Sequence, residues 1–226
     1  MPELLFNTFS IVARCPRTGD FGVAVSTARP AVGAAVPWVS AYGAIATQAK
    51  TNTELGRRAL VRLEHGESVS AVLGALLAAD PERERRQLHG VDRDGVFVHT
   101  GSEAQPWCGH RPGEAWSVAG NLLAGPQVLD AMAEAFVVSE PFALPERLVR
   151  ALEAGQAAGG DKRGKQSAAL LVASADPRPA HNLRVDDHAD PVAELRRLHD
   201  LAVRFAETLV KDYGEDGLRR YRRVKL

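Results

Sequence analysis

The chain has 226 residues, enough for one large domain or two small ones, with a substantial core that needs no outside staple. Its 28 Lys and Arg balance 28 Asp and Glu, so no global field draws it to nucleic acid, an anionic membrane or an acidic substrate. A hydrophobic share of 45% beside 25% charged residues is that of a folded protein and argues against long disorder.

The two cysteines, Cys15 and Cys108, are far apart and in no metal-ligand spacing, which argues against a disulfide framework or a closed zinc site and fits a reducing compartment. The stretch Met1 to Phe6 has no basic leader and too short an apolar run for a signal peptide, and no later segment reads as a membrane span. The expected location is the cytoplasm.

Taken in order, Asn7 to Arg14 reads as a first strand, with Phe9, Ile11 and Ala13 alternating with Thr8, Ser10 and Val12. Two hydroxyls then share one face. Such a pair near the chain start suits an N-terminal nucleophile enzyme, whose Thr, Ser or Cys uses its own free amine as base, although Thr is also simply a good strand former. The turn Cys15 to Asp20 leads to a second strand, Phe21 to Ser26, making a hairpin. Ala31 to Trp38 and Tyr42 to Ala49 read as two more strands, rich in small residues that suit burial between layers.

Thr51-Asn52-Thr53-Glu54 is a cluster of capping residues, followed by Leu55, Ala59, Leu60 and Leu63 at helical spacing. Ser68 begins a second helix that Asp80-Pro81 closes. Gln87 to Val91 and Val96 to Thr100 form a hairpin about Asp92-Arg93-Asp94-Gly95. Gly101 to Glu114 reads as loop and Ala115 to Asn121 as strand. Helices are expected over Pro126 to Phe136 and Pro145 to Ala158. A polar loop from Gly159 then leads into a buried strand, Ala168 to Ser174, with a further short strand at Leu183 to Val185. Asp190 and Pro191 are placed to open a long terminal helix striped by Val192, Leu195, Leu198, Leu201, Ala202, Phe205 and Leu209. No repeat or linker divides the chain, so one domain over 1–226 is expected, with a basic tail at about 214–226. Strands, paired helices, strands and paired helices make an α+β pattern, and stacking as helix, sheet, sheet, helix would bury both sheets.

The motifs TFSIVAR, TGDFGVAVST, AVPWVSAYGAIATQA, VAGNLLAG, AGGDKRGKQSAALLV and LRVDDHADPVAELRRL, in this order over nearly the whole chain, resemble the bacterial family designated domain of unknown function 1028. That family is similar to the N-terminal nucleophile (Ntn) hydrolase superfamily, which implies a four-layer αββα sandwich and hydrolysis of an amide bond. On this resemblance Thr8 matches the nucleophile position. Seven residues precede it, and an amide nitrogen within a chain is no base, so the Asn7–Thr8 bond would have to be cut.

Around Thr8, Ser10 lies on the same face and could orient it, or could bond a sheet neighbour. Asn121 follows Gly120 and could supply an oxyanion with a backbone N–H and a side-chain amide, though Gly-Asn is also turn chemistry. His99 could be the base of an uncleaved enzyme. Ser26 and Gln48 end their strands and could line a pocket. Lys162 and Arg163 in the Gly-rich loop could meet a carboxylate or phosphate, with Gln166 and Ser167 at the same cleft. Asp187 could pair with substrate or a lysine. Asp186-Asp187-His188 is no metal site by itself, since neighbours on an extended chain point apart. Cys108-Gly109-His110 is a weaker thiol–base pair, and the basic tail reads as a solvated charge run. Two functions therefore stand: an amidohydrolase of small amides, or a non-catalytic protein binding a small anion on the same scaffold. Neither calls for a metal or cofactor; no nucleic-acid or membrane partner is expected, and a homodimer is.

Overall fold

The structure, a computed structural model, describes residues 5–6, 8–175 and 179–223, with side chains over 8–175 and 181–215. Among these, two antiparallel sheets and five α-helices make a mixed α and β fold. The strands are β1 (Leu5–Phe6), β2 (Thr8–Arg14), β3 (Phe21–Thr27), β4 (Pro37–Ser40), β5 (Gly43–Lys50), β6 (Arg86–Val91), β7 (Val96–Thr100), β8 (Gly109–Pro112), β9 (Trp116–Gly120), β10 (Ser167–Ala173) and β11 (Pro179–Val185). The helices are α1 (Thr53–Glu64), α2 (Val69–Ala78), α3 (Gln127–Val138), α4 (Leu144–Ala157) and α5 (Pro191–Arg223). One sheet runs β1-β5-β6-β7, with β4 also on β5; the other runs β11-β10-β3-β2-β9-β8.

Alternation on β2 assigns its two faces to different cores. Phe9, Ile11 and Ala13 pack with Leu129, Met132 and Phe136 of α3 and Leu148 and Leu152 of α4. Val12 turns the other way, to Val23, Val25, Ala44, Ala46 and Val91, which lie between the two sheets. On the far face of the first sheet, Ile45 and Leu88 meet Leu55, Leu63, Leu73 and Leu76 of α1 and α2. Small residues permit the close approaches: a Cβ on Gly22 would lie 2.5 Å from Leu148 Cδ1, so a bare backbone is what lets α4 seat on β3.

The caps follow the sequence. Asn52 accepts the Glu54 N–H and Ser68 accepts the Ala71 N–H. Asp190 pairs with Lys165 at 2.8 Å just before α5. Three segments depart from expectation. Ala31 to Trp38 is no continuous strand: Ala31 is left-handed (φ 56°), Val32–Ala34 is a single 3₁₀ turn, and Pro30 and Pro37, which lack N–H donors, bracket it. The expected loop from Gly101 contains β8, an edge strand on which Pro112 removes no needed hydrogen bond. The expected tail is helical to Arg223, across a break at Gly214 (φ 69°). No helix of the described residues is long and apolar enough to cross a membrane.

A buried ion pair fixes the strand ends that matter below. Arg86, first in β6, donates to Asp80 from Nε at 2.9 Å and to the Lys50 carbonyl, at the end of β5, at 2.6 Å. Both side chains are almost fully buried. Burial pushes the Asp80 carboxyl up, but Arg86 and the Glu82 N–H outweigh it and hold the pKa below its usual value. Asp80→Ala is expected to lower the unfolding free energy by about 3 kcal/mol, since it strands a buried guanidinium. Because the folded pKa is depressed, this stabilisation is full above the ordinary carboxylate range and is lost as pH falls through the folded value. Denaturant unfolding of both proteins at neutral and acid pH would therefore show the deficit of the variant shrinking in acid.

Candidate functional site

Strand parity brings a set of polar side chains together between the sheets. Thr8 and Ser10 of β2, Ser117 of β9, Gln48 of β5, and Gln87 and His89 of β6 share this space with Asn121 just past β9, and all are fully buried. The Asn121 N–H donates to the Thr8 carbonyl at 3.0 Å, so these two residues are neighbours.

The hydrogen-bond directions in this cluster can be deduced from one end. Gln87 Nε2 lies 3.0 Å from the Gly109 carbonyl and 2.9 Å from the Gly120 carbonyl, which only accept, so that atom must be the amide nitrogen. Gln87 Oε1 then accepts from Gln48 Nε2 at 2.7 Å and Asn121 Nδ2 at 2.9 Å. Gln48 Oε1 is left as an acceptor and takes the Ser10 hydroxyl proton at 2.8 Å. His89 Nε2, 2.8 Å from Ser10 Oγ, must therefore donate, and its Nδ1 accepts from the Ser117 hydroxyl at 2.8 Å. His89 is a neutral Nε2–H imidazole: burial lowers its pKa from 6.5 to about 3, with the nearby His110 acting in the same direction.

One atom of the cluster is left over. Asn121 Oδ1 is buried without a hydrogen-bond partner among the described residues, and one Nδ2 hydrogen remains beyond the one given to Gln87. The Asn121 backbone N–H, expected to face an oxyanion, is already committed to Thr8. What the residue can still offer a ligand is one acceptor and one donor, side by side on the amide.

Of the other candidates from the sequence, Gln48 joins the cluster and several do not. Ser26 pairs with Phe9 and Ala168, both on the helix side, and its hydroxyl donates to the Ser167 carbonyl, so it faces away from Thr8. Ser167 faces the space between the sheets, but its hydroxyl donates to the Arg29 carbonyl and accepts from the Val32 N–H. His99 lies opposite Leu88, on the face covered by α1 and α2, with Nε2 at 2.9 Å from the Arg83 carbonyl. It is not near Thr8, because adjacent strand residues point to opposite faces.

The cations of the Gly-rich loop already have partners. Arg163 forms two bonds to the buried Asp161, at 3.0 and 2.5 Å, and Lys162 donates to the Pro106 carbonyl. Gln166 donates to Asp187, Asp186 pairs with Arg184, and His188 Nδ1 accepts the Asp190 N–H, so the acidic run diverges. Cys108 donates to the Ala104 carbonyl while His110 bonds Thr100, so that thiol and imidazole are not paired.

Gln87, His89 and Ser117 were not singled out in the sequence. A signal existed: Gln87 and His89 alternate with Val91 on one strand face, and two polar residues there in an otherwise buried strand need partners.

A family model described as a family of unknown function (DUF1028) matches residues 8–195. No curated protein matches the chain. Among solved structures, the crystal structure of protein SPO2555 from Silicibacter pomeroyi, itself assigned to DUF1028, is 36% identical with a TM-score of 0.80, over 87% of this chain and 86% of that one. The family match runs from the first residue of β2 into α5 and takes in the whole polar cluster. The chain belongs to the family of unknown function DUF1028.

Proposed function

We propose that the protein is an amidohydrolase of the N-terminal nucleophile type, built on an αββα sandwich and acting on a small amide, with Thr8 as its nucleophile. The observation that carries this reading is the backbone bond that makes Asn121 a neighbour of the buried Thr8, together with an Asn121 Oδ1 that lacks a donor among the described residues. Hydrolysis of the Asn7–Thr8 bond would turn the Thr8 nitrogen from an amide into an amine, a donor of the kind Oδ1 wants and the base that the hydroxyl needs. The packing of α1 and α2 on one sheet, sheet on sheet, and α3 to α5 on the other supports the layered architecture.

In the proposed reaction the Thr8 amine takes the hydroxyl proton as Oγ attacks the substrate carbonyl. The remaining Asn121 Nδ2–H donates to the developing oxyanion. Collapse breaks the C–N bond, the amine leaves with the proton held at the Thr8 nitrogen, and an ester on Thr8 remains. Water, deprotonated by the same amine, cleaves that ester to the carboxylic product. Ser10 is a positioning residue here, since its proton is committed to Gln48. Partners for both cations of the 162–163 loop weigh against the anion-binding alternative. A homodimer through α5, where Leu201, Val203 and Phe205 are exposed, belongs to the same reading and is tested by sedimentation.

Intact mass of the purified protein is expected to fall by the seven residues before Thr8, and the shortened form to hydrolyse members of a small-amide panel. Thr8→Ala should keep full length and lose turnover by at least about a thousandfold. Turnover by an uncut chain would overturn the amine as base.

His89 supplies a second prediction. Its folded pKa lies below the unfolded value of 6.5, so the unfolded chain binds the extra proton and stability must fall as pH drops from 6.5 toward about 3. The slope from this one group approaches about 1.4 kcal/mol per pH unit. Equilibrium unfolding across that window should be less steep in pH for His89→Gln than for the wild type.

A further inference from the structure

Arg14 ends β2 on the same face as Thr8 and Ser10, six residues from Thr8 and roughly 20 Å along the strand. Its Nε is buried and has no hydrogen-bond partner among the described residues. A buried guanidinium nitrogen left unpaired costs free energy that a ligand or ordered water normally recovers. Arg14 also lines a pocket of about 380 Å³ between the sheet ends, a volume in the small-molecule range. Phe21 and Leu63, both buried, supply its apolar floor.

The charges around this pocket are unequal in availability. Asp92 is used up: its carboxylate accepts the N–H groups of Val69, Asp94 and Gly95. Glu67 is held by Arg62. Arg14 remains inside, while Glu64, Arg93 and Asp94 are exposed at the rim with no ion pair among the described residues. With Asp92, whose neutral N–H partners leave its charge in place, two positive and three negative groups besides the paired Glu67 line the pocket, which disfavours a multiply charged anion. They match a small molecule that carries both signs.

We propose that this pocket is a second ligand site, separate from the Thr8 cluster, for a small zwitterion of the amino-acid class. The carboxylate takes the Arg14 guanidinium, for which the planar fork of arginine is suited, the ammonium faces Glu64 and Asp94, and an apolar side chain lies on Phe21 and Leu63.

The test is calorimetric titration of the full chain with L-leucine, with acetate, butylamine and inorganic phosphate as partial mimics. L-Leucine is expected to bind at one site, at least tenfold tighter than any of the other three. Arg14→Gln should weaken it at least tenfold, the pair Glu64→Gln and Asp94→Asn at least threefold, and Thr8→Ala should leave it unchanged, which separates this site from the amidohydrolase reading. Should Arg14→Gln fail to fold, the Arg14 Nε–H resonance of the wild-type protein, assigned with Arg14→Lys, must shift saturably with L-leucine. No saturable binding, an unchanged affinity in Arg14→Gln, an Nε–H resonance that stays still, or acetate or phosphate binding as tightly as L-leucine would each overturn the proposal.

Discussion

The Gln87 amide, held between two backbone carbonyls, is the constraint on which the space between the sheets depends. The Gly109 and Gly120 carbonyls cannot donate, so the amide has one orientation, and that orientation passes to Gln48, Asn121, Ser10, His89 and Ser117 in turn. In water such a chain could reverse at little cost. Here every member is fully buried, and reversing one amide would set two donors or two acceptors against each other, with desolvation losses of about 1–3 kcal/mol for each group left unpaired. The cluster is accordingly a fixed pattern of donors and acceptors.

Arg86 anchors that pattern from outside. It ties the end of β5 to the start of β6, and the pair of residues next inward from its own pairing with Ala49 is Gln48 and Gln87. Beyond the cluster the space between the sheets turns apolar, with Val12, Val23, Val25, Ala44 and Ala46. This section separates the Thr8 end from the Arg14 end. Valine and alanine are small enough to let the sheets close over it, and all five are fully buried.

Much of the local structure was legible because its causes are local. Asn52 and Ser68 cap the helices they precede, and the alternation of Phe9 and Ile11 with Thr8 and Ser10 sends hydroxyls and hydrocarbons to opposite faces. The cluster was only half legible. Ser10 and His89 lie 79 residues apart, and their meeting depends on how two sheets face each other, which no periodicity within one strand encodes. The face of Ser26 is hidden for a related reason: one step of parity from Thr27 turns it to the helices. The basic loop looked open because the Asp161 that binds Arg163 stood in the sequence as a neighbour with no visible geometry.

Between Phe6 and Thr8 the chain passes from one sheet to the other, since β1 pairs with β5 through Leu5 and Phe6 while Thr8 belongs to β2. That crossing is a covalent tether, and it makes the pairing of β1 intramolecular, at a high effective concentration. Were the tether cut, the same two-residue ladder would become a bimolecular contact governed by mass action, far too small to persist at ordinary dilution. The edge of β5 at Ala49 and Lys50 would then stand open beside the new chain start, and occupancy of that edge would pass from a property of the fold to a property of the surrounding solution.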